Sequence, residues 1–241
     1  MGQAAVTPLV ALQDVTYAYP DGTPALEAVT VAIASAERVA LLGPTGAGKS
    51  TLLQLLNGLL RPTAGVVRVG GAAVTDETVA AVRGRVGLVF QNPDDQLFLP
   101  SLLEDVAFGP LNAGATREAA AARAHAVLER LGLAPAHNRA AHHLSGGERR
   151  LAALATVLVS EPDLLALDEP SGDLDARSRR RLRDILGGRR EALLVATHDL
   201  ELVRGLCTRA LVLVGGRVEW DGGLDTLLAD RGLLERFGLV A

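Results

Sequence analysis

The octapeptide Gly43-Pro44-Thr45-Gly46-Ala47-Gly48-Lys49-Ser50 constrains this chain more than any other stretch. A glycine, four residues, then Gly-Lys-Ser is the pattern of a phosphate-binding loop. Val39-Ala40-Leu41-Leu42 ahead of it is a short apolar run of the kind that forms a buried parallel strand. Thr51 to Asn57 behind it has the apolar spacing of a helix and stops at Gly58. Strand, glycine-rich turn and helix N-terminus together make an anion site. Backbone N–H groups at Gly46, Gly48, Lys49 and Ser50 would wrap a phosphate chain at the positive end of the helix dipole. Glycine suits the loop because a side chain would clash with the phosphate and because the backbone visits positive φ. Lys49 would reach the outer phosphates and the Ser50 hydroxyl would bind Mg²⁺. Lys49 is the only lysine in 241 residues; arginine supplies the remaining basic side chains. The compact ammonium stands where a phosphate loop uses one.

Length and composition narrow the surroundings. A chain of 241 residues, 49% hydrophobic, can bury a large core. A net charge of −4 gives no reason to expect a nucleic-acid surface. The arginines from Arg177 to Arg183 sit at helical spacing beside acids and read as a solvated helix face. The single cysteine, Cys207, excludes an internal disulfide and fits a reducing compartment. No secretory leader is recognisable at the N-terminus, and no apolar run approaches membrane-spanning length, so any membrane role is expected to come through a partner.

Val10-Ala11-Leu12 and Val29 to Ile33 are β-rich and flank the turn Tyr19-Pro20-Asp21-Gly22-Thr23-Pro24, which predicts an antiparallel region before the loop strand. Tyr17 and Tyr19 are the only tyrosines; either could stack on a nucleobase or pack in the sheet. Gly65 to Gly71 and Val86 to Phe90 read as strands, the second ending at Gln91. Residues 91–162 read as mostly helical, an insertion into an α/β core. Within them Ser145 and Glu148 form a capping box before a helix. Gly146 and Gly147 could equally bare N–H groups as a second anion site. Leu164 to Leu167 is a strand ending in Asp168-Glu169, where ligands bind in parallel sheets. Asp168 is placed to hold Mg²⁺ beside Ser50, and Glu169 to orient and deprotonate a water. Leu193 to Thr197 delivers His198 to the same edge, where it could meet a terminal phosphate. A glycine-turn hairpin from Ala210 to Trp220 and a helical tail from Leu224 complete the pattern.

Taken in order, Gly43 to Ser50, Gln91, Leu144 to Glu148, Leu164 to Glu169, Ser171-Gly172-Asp173-Leu174-Asp175 and His198 resemble the ATP-binding cassette ATPases over essentially the whole chain. The resemblance implies an α/β fold with a P-loop NTPase (RecA-like) core sheet, an N-terminal antiparallel β subdomain and an inserted helical subdomain. It implies one nucleotide-binding domain, with residues 1–90 and 163–241 as core and 91–162 as the helical signature subdomain. It implies a head-to-tail dimer with ATP between the loop of one chain, Gly43 to Thr51, and the signature of the other, Ser145, Gly146, Gly147 and Glu148. Tyr19 would then stack on adenine, Gln91 would sense Mg²⁺ and water, Asp175 would lie at the dimer interface, and His198 would be the switch histidine. Glu148 stands where glutamine is commoner, and the capping box shows how a carboxylate is tolerated there.

Phe90 to Phe98, with Glu104 to Pro110, Tyr19-Pro20-Asp21-Gly22 and Ala25-Leu26, is similar to the energy-coupling-factor importers, especially the cobalt/nickel type. In that family the Gln91–Pro110 region receives a transmembrane coupling subunit, and a substrate-capture membrane protein follows indirectly. The resemblance implies an ATPase at the cytoplasmic face of the membrane, with ATP and Mg²⁺ as cofactors and no nucleic-acid partner. ATP itself is expected to be the main dimer glue, without an accessory C-terminal segment. Homodimer, pairing with a related ATPase, a vitamin or other solute, and a soluble ATPase acting outside transport are the alternatives within the resemblance.

Overall fold

Alternation decides the architecture. In the strand before the loop, Val39 and Leu41 point to one side while Ala40 and Leu42 point to the other, and all four are fully buried. A strand buried on both faces needs cover on both sides. The computed structural model describes residues 7–172 and 174–240. In chain order, β1 (Val10–Ala18), β2 (Pro24–Ile33) and β3 (Arg38–Leu42) lead to α1 (Lys49–Asn57), β4 (Ala64–Val69), β5 (Ala72–Ala73), α2 (Val79–Arg85) and β6 (Val86–Val89). Then come α3 (Leu102–Asn112), α4 (Arg117–Arg130), α5 (Gly146–Leu158), β7 (Leu164–Asp168) and α6 (Ala176–Gly187). The chain continues through β8 (Ala192–Ala196), α7 (Leu200–Val203), β9 (Arg209–Val214), β10 (Arg217–Gly223), α8 (Leu224–Ala229) and α9 (Arg231–Arg236).

Two sheets form. One is antiparallel, in the order β2-β1-β4-β5; the other runs β10-β9-β3-β8-β7-β6. In the second sheet β6, β7, β8, β3 and β9 are parallel and β10 returns antiparallel as a hairpin. Each parallel strand is four to six residues long and almost continuously apolar, as double burial demands. Val39, Leu41, Leu164, Ala166 and Leu194 pack on the side of α1 and the antiparallel sheet. Ala40, Leu42, Leu165, Leu167 and Leu193 pack on the side of α3, α4 and α5.

Helix α1 is fixed by its own leucines. Leu52, Leu53, Leu55 and Leu56 are at most 1% exposed, and each stabilises the fold by about 1.5–3 kcal/mol relative to an exposed position. Gly58 in the left-handed conformation ends the helix, as the sequence predicts. Helix α2 is a difference from the sequence reading, which found no element there. Its seven residues include two valines and an internal Gly84, a composition of weak helix propensity. Residues 91–162 contain α3, α4 and α5 and no strand among the described residues.

Candidate active site

Parallel register brings the chemistry to one edge. Leu41 of β3 pairs with Ala196 of β8, Ala196 with Asp168 of β7, and Leu167 of β7 with Val89 of β6. The strands therefore end level, and the residues just beyond them converge: the loop after β3, Phe90-Gln91 after β6, Glu169 after β7 and His198 after β8. A cleft of about 1080 Å³ opens there, lined by Tyr19, Thr45 to Thr51, Gln91, Asp168, Glu169 and His198.

The loop is shaped by close backbone approach. Gly43 has φ 145° and a Cβ there would run into the Leu213 carbonyl; Gly48 has φ 102° and would meet the Ala25 carbonyl. Gly48 is also the N-cap of α1, which begins at Lys49, so the first N–H groups of the helix open into the cleft. Lys49 donates to the Gly43 carbonyl at 2.7 Å and the Pro44 carbonyl at 3.1 Å. Gly43 and Pro44 thus form the back of the loop, while Thr45 to Thr51 form the wall. Burial lowers the pKa of the Lys49 ammonium, and the carboxylates of Glu169 and Asp168 pull it back up.

Asp168 is 6% exposed and its Oδ1 is buried without a hydrogen-bond partner. Burial pushes its carboxyl pKa up, with the Ser50 hydroxyl acting the other way. An acceptor-only oxygen buried without a donor, beside a hydroxyl and a cleft, is the donor set of a hard cation. Among the described residues no three His, Cys, Asp or Glu side chains converge on one point. A cation here would complete its shell from water and phosphate oxygens, as Mg²⁺ does.

Glu169 sits in the left-handed region, φ 43°, a conformation that costs a non-glycine residue on the order of 1–3 kcal/mol. It is over-determined. Its N–H donates to the Ala196 carbonyl at 2.8 Å. Its Oε2 accepts from Thr197 Oγ1 at 2.9 Å and lies 3.0 Å from His198 Nδ1. The carboxylate accepts, so Nδ1 donates and Nε2 is left for a ligand. The imidazole is 79% exposed and overhangs the cleft.

Tyr19 lines the cleft, 39% exposed, with its hydroxyl 2.8 Å from Thr51 Oγ1. Tyr17 is buried and meets Tyr19 edge to face. Tyr17 therefore packs in the sheet, and of the two tyrosines only Tyr19 reaches the cleft. The capping box is present: Ser145 Oγ accepts from Glu148 N, and Glu148 Oε2 accepts from Ser145 N at 2.8 Å. The Ser145 N–H and hydroxyl, both donating to that carboxylate, hold it below its ordinary pKa. Gly146 lines the cleft and faces open space, whereas a Cβ on Gly147 would lie 2.8 Å from Ser178 Oγ of α6. Ser145, Gly147 and Glu148 do not line the cleft of their own chain. Neither does Asp175, which caps α6 by accepting from Ser178 N at 2.7 Å. Asp173 lies outside the described residues.

Three contributors escape a reading of the sequence. Thr197 is fully buried and orients Glu169. Arg150, 7% exposed on α5, donates to the carbonyls of Gln91 and Gly172, so one guanidinium ties two cleft-lining loops. Gln96 fastens the loop after Gln91 to α5. The only sequence signal for Arg150 is its place two residues after the capping box.

The ABC transporter family profile matches residues 26–172. A putative ABC transporter ATP-binding protein of Gloeobacter violaceus is 50% identical over 97% of this chain and 96% of its own length. The cobalt import ATP-binding protein CbiO of Rhodobacter capsulatus is 42% identical, covering 97% of this chain and 85% of its own. The energy-coupling factor transporter ATP-binding protein EcfA of Methanothermobacter thermautotrophicus is 41% identical, covering 96% and 76%. Among solved structures, cbiO1 of Clostridium perfringens, part of a cbiONQ transporter complex, superposes with TM-score 0.80 at 32% identity over 96% of this chain and 95% of its own. A dimeric post-hydrolysis ATP-binding cassette bound to ADP and Pi gives TM-score 0.80 at 28% identity, covering 89% and 98%.

Proposed function

The chain belongs to the ABC transporter family as an ATPase of the energy-coupling-factor, CbiO-like type, and from that premise we propose that it powers uptake of a transition-metal ion, cobalt or nickel. It would do so by dimerising head to tail on ATP at the cytoplasmic face of a membrane. The observation that carries the reading is the division of the site. Lys49, Ser50, Asp168, Glu169 and His198 line one cleft, while of the signature residues Gly146 alone reaches it and Ser145, Gly147 and Glu148 do not line it. A second chain would bring its Ser145 hydroxyl and Gly146–Gly147 N–H groups to the γ-phosphate. Because those contacts exist only in the closed dimer, ATP favours closure by its differential affinity for that state.

Hydrolysis of ATP is mainly a matter of position and charge. The N–H groups from Gly46 to Ser50 cradle the phosphates, and Lys49 leaves the Gly43 and Pro44 carbonyls to neutralise the outer ones. Tyr19 stacks on adenine. Ser50, Asp168 and Gln91 would hold Mg²⁺, which supplies further charge neutralisation at the transferring phosphoryl group. Glu169 orients the water and takes its proton. His198, fixed through Nδ1 on Glu169, offers Nε2 to the γ-phosphate. Loss of the γ-phosphate removes the bridge, and the dimer opens.

The membrane partner would dock on the Gln91–Pro110 region. Phe98 is 63% exposed and stacks edge to face on Phe108, itself 41% exposed, at 5.3 Å. Asp105 builds this face by accepting from both Phe98 N and Leu99 N at 3.0 Å. Among the described residues no helix is long and apolar enough to cross a membrane, so transport requires such a partner. The test is affinity capture of the tagged chain from detergent-solubilised native membranes. Recovery of a multi-span subunit with a small capture protein whose bound metal is cobalt or nickel supports the reading. Recovery of soluble proteins or nucleic acid alone overturns transport and leaves the ATPase chemistry intact.

A further inference from the structure

Gln96 does not line the cleft, yet its amide is engaged at both ends. Oε1 accepts from Phe90 N at 3.1 Å, while Nε2 donates to the Ala153 carbonyl at 2.9 Å and to Thr156 Oγ1 at 2.7 Å. The Thr156 hydroxyl is fixed in turn, donating to the same Ala153 carbonyl at 2.8 Å. Phe90 is the residue between β6 and Gln91; Ala153 and Thr156 lie in the second half of α5, the helix that starts after Ser145. One side chain therefore fastens the exit of a core strand to the signature helix. The chain just beyond is fastened to the same helix as well, because Arg150 takes the Gln91 carbonyl. Gln91 is thus bracketed by two ties to α5, one before it and one at its own carbonyl.

We propose that Gln96 is a positioning residue for ATP hydrolysis: it sets the backbone at Phe90–Gln91 against α5, so that Gln91 is correctly placed in the cleft only when the signature helix is. This rests on the role given to Gln91 above. The bracket needs an acceptor and a donor on one side chain. Glutamate keeps the acceptor for Phe90 N but has no N–H for Ala153; leucine has neither. A reacting group misplaced by about 1 Å loses as much as ~10²-fold in rate. Gln96 does not itself line the cleft and reaches it only through the Phe90 backbone, so ATP affinity is expected to hold.

The experiment measures phosphate release and ATP binding for the full chain, Gln96→Leu, Gln96→Glu, Gln91→Ala and the double variant Gln91→Ala/Gln96→Leu. Both Gln96 variants are expected to lower kcat about tenfold with the ATP dissociation constant within about twofold of the parent. In the Gln91→Ala background, Gln96→Leu adds less than about twofold, because a positioning residue has nothing left to position. Thr156→Ser, which keeps the hydroxyl, retains the parent rate, and Thr156→Val loses part of it. If Gln96→Leu does not fold, Gln96→Glu carries the test. Parent kcat in a folded Gln96 variant, or effects that multiply in the double variant, overturn the proposal while leaving Gln91 its role. Parent kcat in Gln91→Ala overturns both.

Discussion

Thr197→Val isolates the support of Glu169 from its chemistry. Valine matches threonine in shape but not in its hydroxyl, so at this fully buried site the change falls on the hydrogen bonds and not on the packing volume. Two bonds disappear: the one Thr197 Oγ1 donates to Glu169 Oε2 at 2.9 Å, and the one it accepts from Asp199 N at 3.0 Å. A hydrogen bond to a charged group contributes about 1.5–3 kcal/mol, and a buried donor left unpaired costs about 1–3 kcal/mol. Asp199 is only partly buried, so water recovers part of the second cost. A net loss of about 1–3 kcal/mol lowers Tm by roughly 3–10 °C in a chain of this size. The kinetic effect is separable. Glu169 keeps His198 Nδ1 at 3.0 Å and His198 N at 3.4 Å, so its carboxylate loosens without leaving. We expect kcat to fall about tenfold, equivalent to about 1.4 kcal/mol of barrier. The KM for ATP stays within about twofold, because Thr197 does not line the cleft. Thr197→Ser should recover the rate. A phosphate-release assay at saturating and limiting ATP reads both parameters. Parent kcat alongside a lowered Tm would refute the reasoning, because it would make Thr197 a packing residue only.

Replacing Glu169 by glutamine should cost the general base, typically 10²–10⁴-fold in kcat, while ATP binding persists and a closed dimer accumulates on gel filtration; hydrolysis at the parent rate would remove Glu169 from that role. Phe98→Asp should leave the ATPase rate within about twofold of the parent, since Phe98 lies off the cleft, and should abolish recovery of the multi-span subunit from membranes; undiminished recovery would move the docking face elsewhere. Asp105 gives a pH signature. Burial raises its carboxyl pKa above the unfolded value of 3.8, so between 3.8 and the folded value the native state binds more protons than the unfolded one. Its ionised form therefore destabilises the fold at neutral pH, and that destabilisation is relieved as pH falls through the folded pKa. Asp105→Asn removes the titration but keeps an acceptor for Phe98 N and Leu99 N. Urea unfolding of the two proteins should show the variant's relative stability decreasing between neutral pH and pH 4; a difference independent of pH would refute the assignment.

What can be read from the sequence follows from where the information is local. Asp168, Glu169 and His198 each stand one or two residues past a short apolar run, and parallel strands deliver such positions to one edge; Lys49 is marked instead by the glycine pattern of the loop that follows β3. Tyr19 and Tyr17 are ambiguous in sequence because nothing local marks that β1 ends at Ala18, with Tyr17 inside the strand and Tyr19 beyond it. Their separation needed the antiparallel sheet, where Tyr17 pairs with Leu26 and goes under. Thr197 reads as the last residue of an apolar strand, and nothing local marks its hydroxyl. Arg150 and Gln96 are harder still, because their partners lie 59 and 57 residues away along the chain. Both act through α5, which starts beside Ser145 and packs its middle against the loop that leaves β6. The groups that react are thus marked locally, while the groups that aim them are tertiary. This division assigns the expected kinetics: Thr197 and Gln96 do not line the cleft and reach it only through Glu169 and the Phe90 backbone, so their loss is expected in kcat, whereas a residue of the loop from Thr45 to Thr51 would touch phosphate and its loss is expected in ATP binding as well.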